Sequence, residues 1–85
     1  MVTVENRTAS TLTISFRDAA RTRGVVSIGT VAAGETRRLA PVPAAEPIIL
    51  SARAADSGTL ELPVRTFTLD EQWLWIVPAD APFRR

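Results

Sequence analysis

The feature that most narrows the fold is a strict two-residue alternation near the start of the chain. Leu12, Ile14 and Phe16 alternate with Thr11, Thr13, Ser15 and Arg17. Successive side chains of an extended strand point to opposite faces, so this pattern describes a strand with one apolar and one polar face, which has to be covered by a second layer. Val2 and Val4 against Thr3 and Glu5 repeat the pattern. Turn signals then punctuate the rest of the chain every 8 to 12 residues or so, which is the spacing of a sandwich or barrel and not of a helical protein.

Seven extended segments follow from this reading. After the first two come "VVSIGTV" (25–31), "TRRLA" (36–40), "IILSARA" (48–54), "TLELPVRTFTL" (59–69) and the Trp-rich run at 73–77. Gly29 inside the third marks a bulge or a close backbone approach. "AAGE" reads as a tight hairpin turn with Gly34 at a positive φ. Arg37 and Arg38, followed by Pro41, Pro43 and Pro47, suit an edge strand and then an extended loop that crosses between sheets. Pro63 donates no ladder bond, and apolar residues change phase across it, from Leu60, Leu62 and Val64 to Phe67 and Leu69. A kink or bulge is therefore expected between Pro63 and Thr66.

The stretch "EQWLWIVP" (71–78) departs from alternation, with five apolar residues in a row. Thr68 and Glu71 have the spacing of a helix capping box, but Pro78 leaves too little room for a helix, and Trp, Ile and Val favour a strand. As a strand it puts Trp73, Trp75 and Val77 on one face and Leu74 and Ile76 on the other. A buried Trp removes about 200 Å² from water, so the Trp face is expected inside, with Trp75 as a core residue. Leu74 and Ile76 then need cover from the C-terminal tail, a neighbouring subunit, or a ligand. Tryptophans turned outward would instead make a stacking platform for a carbohydrate ligand at Trp73 or Trp75.

Chain length limits the interior. An 85-residue chain buries only about 60 to 65% of its unfolded surface. Thirteen of its residues are Ala, so the few large side chains carry most of the core. The absence of cysteine removes disulfides and thiolate metal sites and leaves the redox compartment open.

Chemistry is narrowed in the same way. The cations are ten Arg, opposed by nine carboxylates, with no His, Lys, Tyr or Cys to move protons or form covalent intermediates. Asp70 and Glu71 form an adjacent acidic pair, but neighbours on a turn point apart, so an acid–base role is not expected and neither is a cofactor. Antiparallel parity gathers alternate loops at each end. One end collects Asn6, Arg7, Ala33, Gly34, Glu35, Asp56, Ser57 and Gly58, a set whose oxygens would need to converge to hold calcium. The other collects Asp18, Arg21, Arg23, Glu46, Asp70, Glu71 and Gln72, opposite charges suited to weak surface pairs or a recognition cluster. Leu74, Ile76, Arg21, Arg23, Asp70 and Glu71 are thus the candidate interaction residues. "NRT" at Asn6 fits a glycosylation sequon that also arises by chance. The Arg37–Arg38 and Arg84–Arg85 doublets lack interleaved aromatics, and a net charge of +1 gives no nucleic-acid footprint. No apolar stretch is long enough for a membrane helix. No basic-plus-apolar leader precedes Val2, so the expectation is either a cytoplasmic chain that starts at Met1 or a periplasmic or secreted one whose signal has been trimmed.

"VTVENRTASTLTISF" followed by "IGTVAAGETRRL" resembles small β-sandwich proteins of bacterial cell envelopes, in which a V-x-V-x-N start leads to a G-x-V-x-A-G-x-T hairpin. The resemblance covers roughly the first half of the chain. It implies an exported immunoglobulin-like or fibronectin-like module without catalytic residues. The combined expectation is a single domain over residues 1–85, a seven-stranded antiparallel β-sandwich with an irregular tail at 78–85. Its expected role is structural or protein-interacting, with carbohydrate binding and self-association as the alternatives.

Overall fold

The structure, a computed structural model, describes residues 2–20, 24–54 and 58–83. Among the described residues eight strands lie in two packed sheets: β1 (Val2–Asn6), β2 (Leu12–Asp18), β3 (Val26–Val31), β4 (Thr36–Arg38), β5 (Pro47–Ala54), β6 (Gly58–Glu61), β7 (Arg65–Thr66) and β8 (Trp73–Val77). The small sheet has the order β4-β1-β8. The large one runs β3-β2-β5-β6, with β7 also paired to β5. The two-layer all-β architecture agrees with the sequence reading, while its count, direction and order each need correction.

Eight strands replace the expected seven because the sixth segment breaks at Pro63. β6 pairs with β5 at Ser51–Ala54 and β7 pairs with it at Pro47–Ile48, so the two halves occupy separate stretches of one partner. Phe67 is buried beyond the break, but Leu69 is 81% exposed, so the expected shared face of these two does not persist.

The sandwich is also not wholly antiparallel, since β1 and β8 pair in parallel, Val2 with Trp73 through Asn6 with Val77. The reason is parity: if seven segments alternate in direction, the first and last run the same way and can only pair in parallel once they become neighbours. Strand order differs from an immunoglobulin domain as well. There the first, second, fifth and fourth strands share a sheet, and the third, sixth and seventh form the other. Here the second and fifth strands are paired as in that fold, but the first and fourth lie in the opposite sheet.

The "AAGE" turn does not close a hairpin within one sheet. Its Glu35 N–H donates to Ala32 O at 3.0 Å and Gly34 has φ +76°, but the turn carries the chain from β3 in the large sheet to β4 in the small one. Arg37 Nη1 donates to Thr30 O (3.2 Å) and the Ala40 N–H to Ile28 O (3.3 Å), stitching the two sheets along that side. Gly29 serves both roles expected of it. The β2–β3 register shifts between Ile14 and Ser15, opposite Gly29 and Ser27, and a Cβ on Gly29 would lie 2.9 Å from Leu39 Cδ2.

The core between the sheets contains Val2 and Val4 of β1, Leu12 and Ile14 of β2, Ile48, Leu50, Ala52 and Ala54 of β5, and Phe67, Trp75 and Val77. Phe83 of the tail packs partly against it. Asn6 is buried among these apolar groups. Its Nδ2 donates to Ser10 O (2.7 Å), Val31 O (3.0 Å) and Ala32 O (3.1 Å), and its Oδ1 accepts from Thr8 N (2.9 Å) and Thr8 Oγ1 (2.6 Å). The amide is fully engaged, so the sequon asparagine is a structural pin in this fold.

Candidate functional site

β8 is where the Trp-rich run resolves. Trp75 is 6% exposed and Val77 is buried, while Leu74 and Ile76 on the opposite face are 50% and 42% exposed. The indole face turns inward, as the area argument requires.

Trp73 is half-buried at the strand's start, stacked on Trp75 with centroids 6.2 Å apart and meeting the edge of Phe67 at 5.6 Å. The Arg65 guanidinium lies 4.9 Å from both the Phe67 and Trp73 ring centres, within cation–π range. Glu71 holds that guanidinium at 2.5 Å. The same carboxylate accepts from the Thr68 N–H at 2.9 Å and from the Thr68 hydroxyl at 3.3 Å. These contacts, the Thr68 backbone bond foremost and then Arg65, hold the Glu71 carboxyl below its ordinary value of 4.5. The capping-box spacing at Thr68 and Glu71 therefore closes a turn with no helix behind it. Beside this cluster lies a hollow of about 220 Å³ lined by Leu50, Leu62, Pro63, Val64, Arg65 and Trp73.

Neither tryptophan offers the exposed platform that carbohydrate stacking requires. Trp75 is in the core, and Trp73 is stacked on Trp75 and capped by Arg65. Of the predicted cluster of opposite charges only part lies among the described residues. Glu71 pairs with Arg65, a residue the sequence reading passed over, and Asp70 sits at φ +66° on the rim of a separate hollow with Pro41, Val42 and Gln72. Arg21 and Arg23 lie outside the described residues, as do Asp56 and Ser57 of the calcium set. Among the described residues no group of three or more carboxylates is placed to hold a metal ion. Arg65 and Phe67, two apart on an extended segment that leads to a Trp strand, were the available signal for the aromatic cluster.

The outer face of the small sheet presents two rows across its strands. Arg38, Thr3 and Leu74 form one, and Thr36, Glu5 and Ile76 the other, with Glu5 ion-paired to Arg7. β8 is one edge of this sheet, opposite β4. The Arg7 N–H donates to Val77 O at 2.9 Å, so Val77, Trp75 and Trp73 direct their backbone groups toward β1. By alternation Leu74 and Ile76 direct theirs away, and among the described residues no backbone group bonds to them there.

The other edges carry features that discourage strand addition. β4 is three residues long with exposed Arg37 and Arg38. β3 has the Gly29 irregularity and gives its carbonyls at Ile28 and Thr30 to Ala40 and Arg37. The β6–β7 edge is interrupted at Pro63. From Gln72 to Ile76, β8 and its approach have no charge, no proline and no register shift.

No family model matches the chain, no curated protein matches it, and no solved structure matches its fold.

Proposed function

We infer that the protein is a non-enzymatic interaction module that takes a polypeptide partner along the open edge of β8. The observation that carries this reading is the pair Leu74 and Ile76, whose side chains are half-exposed and whose outward backbone groups have no partner among the described residues. An added strand would satisfy those N–H and C=O groups and cover both side chains at once, the recognition mode in which ladder bonds supply affinity and alternate side chains supply selectivity. Three of the arginines, by contrast, are engaged in structure: Arg65 with Glu71 and two rings, Arg37 with Thr30, and Arg17 with Glu61 at 2.9 Å. The exported setting we propose rests on the resemblance of the first half of the chain to envelope β-sandwich proteins.

Selection of linear peptides from a displayed random library tests the reading. Synthetic versions of the selected peptides should be extended and apolar at alternate positions, and should lose affinity roughly tenfold or more against the Ile76→Lys variant. Failure to select any peptide, or selection of peptides indifferent to Ile76→Lys, would overturn it.

A further inference from the structure

We propose that the partner is a second copy of this chain, joined by antiparallel pairing of β8 with its own equivalent into one continuous sheet of order β4-β1-β8-β8-β1-β4. This deepens the interaction reading above and rests on it.

Three observations favour a second copy. The first is self-complementarity. When two β8 strands are paired about Trp75, Leu74 lies opposite the partner's Ile76 and Ile76 opposite the partner's Leu74. These are the residues whose backbone groups face outward, so each pair exchanges both ladder bonds. Gln72 then faces the partner's Pro78, whose nitrogen cannot donate and whose carbonyl already accepts from the Ala81 N–H at 3.1 Å, so the ladder rests on the two Leu74–Ile76 pairs. On the outer face the four Leu74 and Ile76 side chains form one apolar strip across the two-fold axis. On the inner face Trp75 meets the partner's Trp75, and Trp73 meets the partner's Val77. No polar group is set against an apolar one at any position from 73 to 77. The two-fold arrangement uses the same patch on both copies, as an isologous dimer requires.

The second observation is charge. Residues 72–78 carry none, and the whole chain has a net charge of +1, so two copies meet with almost no electrostatic repulsion. A strongly charged partner would find nothing along this edge to complement it.

The third is the contrast with the other edges. Arg37 and Arg38, the Gly29 irregularity and the Pro63 break leave β8 as the described edge on which self-pairing is not opposed. A long apolar edge without such features is ordinarily an aggregation hazard, and closed two-fold pairing consumes it. Seven residues of edge with two half-exposed side chains offer on the order of 500 Å² per copy, near the lower limit for a specific interface. Association in the micromolar range is therefore expected.

Sedimentation equilibrium from about 1 µM to about 1 mM tests this directly. The wild-type chain should shift from monomer to dimer and stop there. Ile76→Lys and Leu74→Lys should each weaken the dimer by roughly tenfold or more. Leu69→Lys, the same chemical change at a more exposed site off the edge, should leave it unaltered. Circular dichroism of each variant confirms that it has folded. Hydrogen exchange on the wild-type chain gives a second reading that needs no variant. The amides of Leu74 and Ile76 should become protected as concentration rises, while those of Trp75 and Val77 stay protected throughout by β1.

A wild-type chain that remains monomeric over this range overturns the proposal, as does a dimer in which Leu74 and Ile76 exchange freely. Association that falls with Leu69→Lys and survives Ile76→Lys also overturns it and indicates general apolar contact. A monomer that still binds library-selected peptides sinks the second copy but preserves the edge as an interaction site. Loss of both sinks the interaction reading itself.

Discussion

Asn6 shows how much one side chain can hold in a core this small. Its amide ties the end of β1 to the 7–11 turn and to the end of β3 through five hydrogen bonds. Replacing it tests the assignment more sharply by charge than by size. In Asn6→Asp the Oδ1 acceptor for Thr8 survives, but a carboxylate oxygen replaces the donor and faces three carbonyls. We expect a loss of at least about 3 kcal/mol at neutral pH, read as a fall in the urea midpoint. A loss under 1 kcal/mol or so would show that water can substitute for the amide. The same residue shows the limit of the sequon as a signal: a three-letter pattern does not reveal that its asparagine is buried.

The third and sixth segments show where alternation stops being a sufficient guide to an element. Around Gly29 the strand inserts an extra residue, so Ile28 turns inward while Val25 and Val26 stay exposed. Gly29 has φ +148° and Leu39 Cδ2 lies 2.9 Å from where its Cβ would be, whereas Gly34 has φ +76° with open space around it. The two glycines should therefore differ on substitution. Gly34→Ala should cost about 1 kcal/mol from backbone strain alone. Gly29→Ala should cost about 2 to 3 kcal/mol, because Leu39 also has to move within the packed interior. Equal midpoints for the two variants in chemical denaturation would remove the close approach as the reason for Gly29. In the sixth segment Pro63 was readable as an interruption, but its result, two short strands on different parts of β5, depends on which residues of β5 remain free to pair.

At the scale of the whole molecule the charge composition shapes the pH response. With no His, Lys, Tyr or Cys, no side chain titrates between the carboxylates and the guanidinium groups, so stability should be nearly flat across the neutral range. The acid limb has an identifiable component. The Glu71 carboxyl is held below its unfolded value by Thr68 and Arg65, so its contribution is fully present above about pH 4.5 and is lost as pH falls through the lower folded value. Glu71→Gln should flatten part of the decline in melting temperature below pH 4.5, with a small change at pH 7 because the pair is exposed to solvent. An acid limb identical to that of the wild type would show that the Arg65 cluster does not depend on this charge.

Local chemistry was enough to read most of the extended segments, to favour Trp75 as the inward residue of β8, and to read the edge character of β4 and an irregularity at Pro63, though not the break into two strands there. Each follows from side-chain period, area or a missing N–H, and these act over a few residues. Sheet membership was beyond such reasoning. Whether β3 and β4 share a sheet, whether β1 lies beside β8, and which edges stay open all depend on residues far apart in sequence competing for the same backbone partners. The aromatic cluster shows the same division. That Arg65 and Phe67 could share a face was legible from their spacing, but only the packing of β7 against the start of β8 brought them to Trp73. The open edge at Leu74 and Ile76 is likewise a product of the assembled fold, since a strand's hydrogen bonds are free only once every other strand has taken its neighbours.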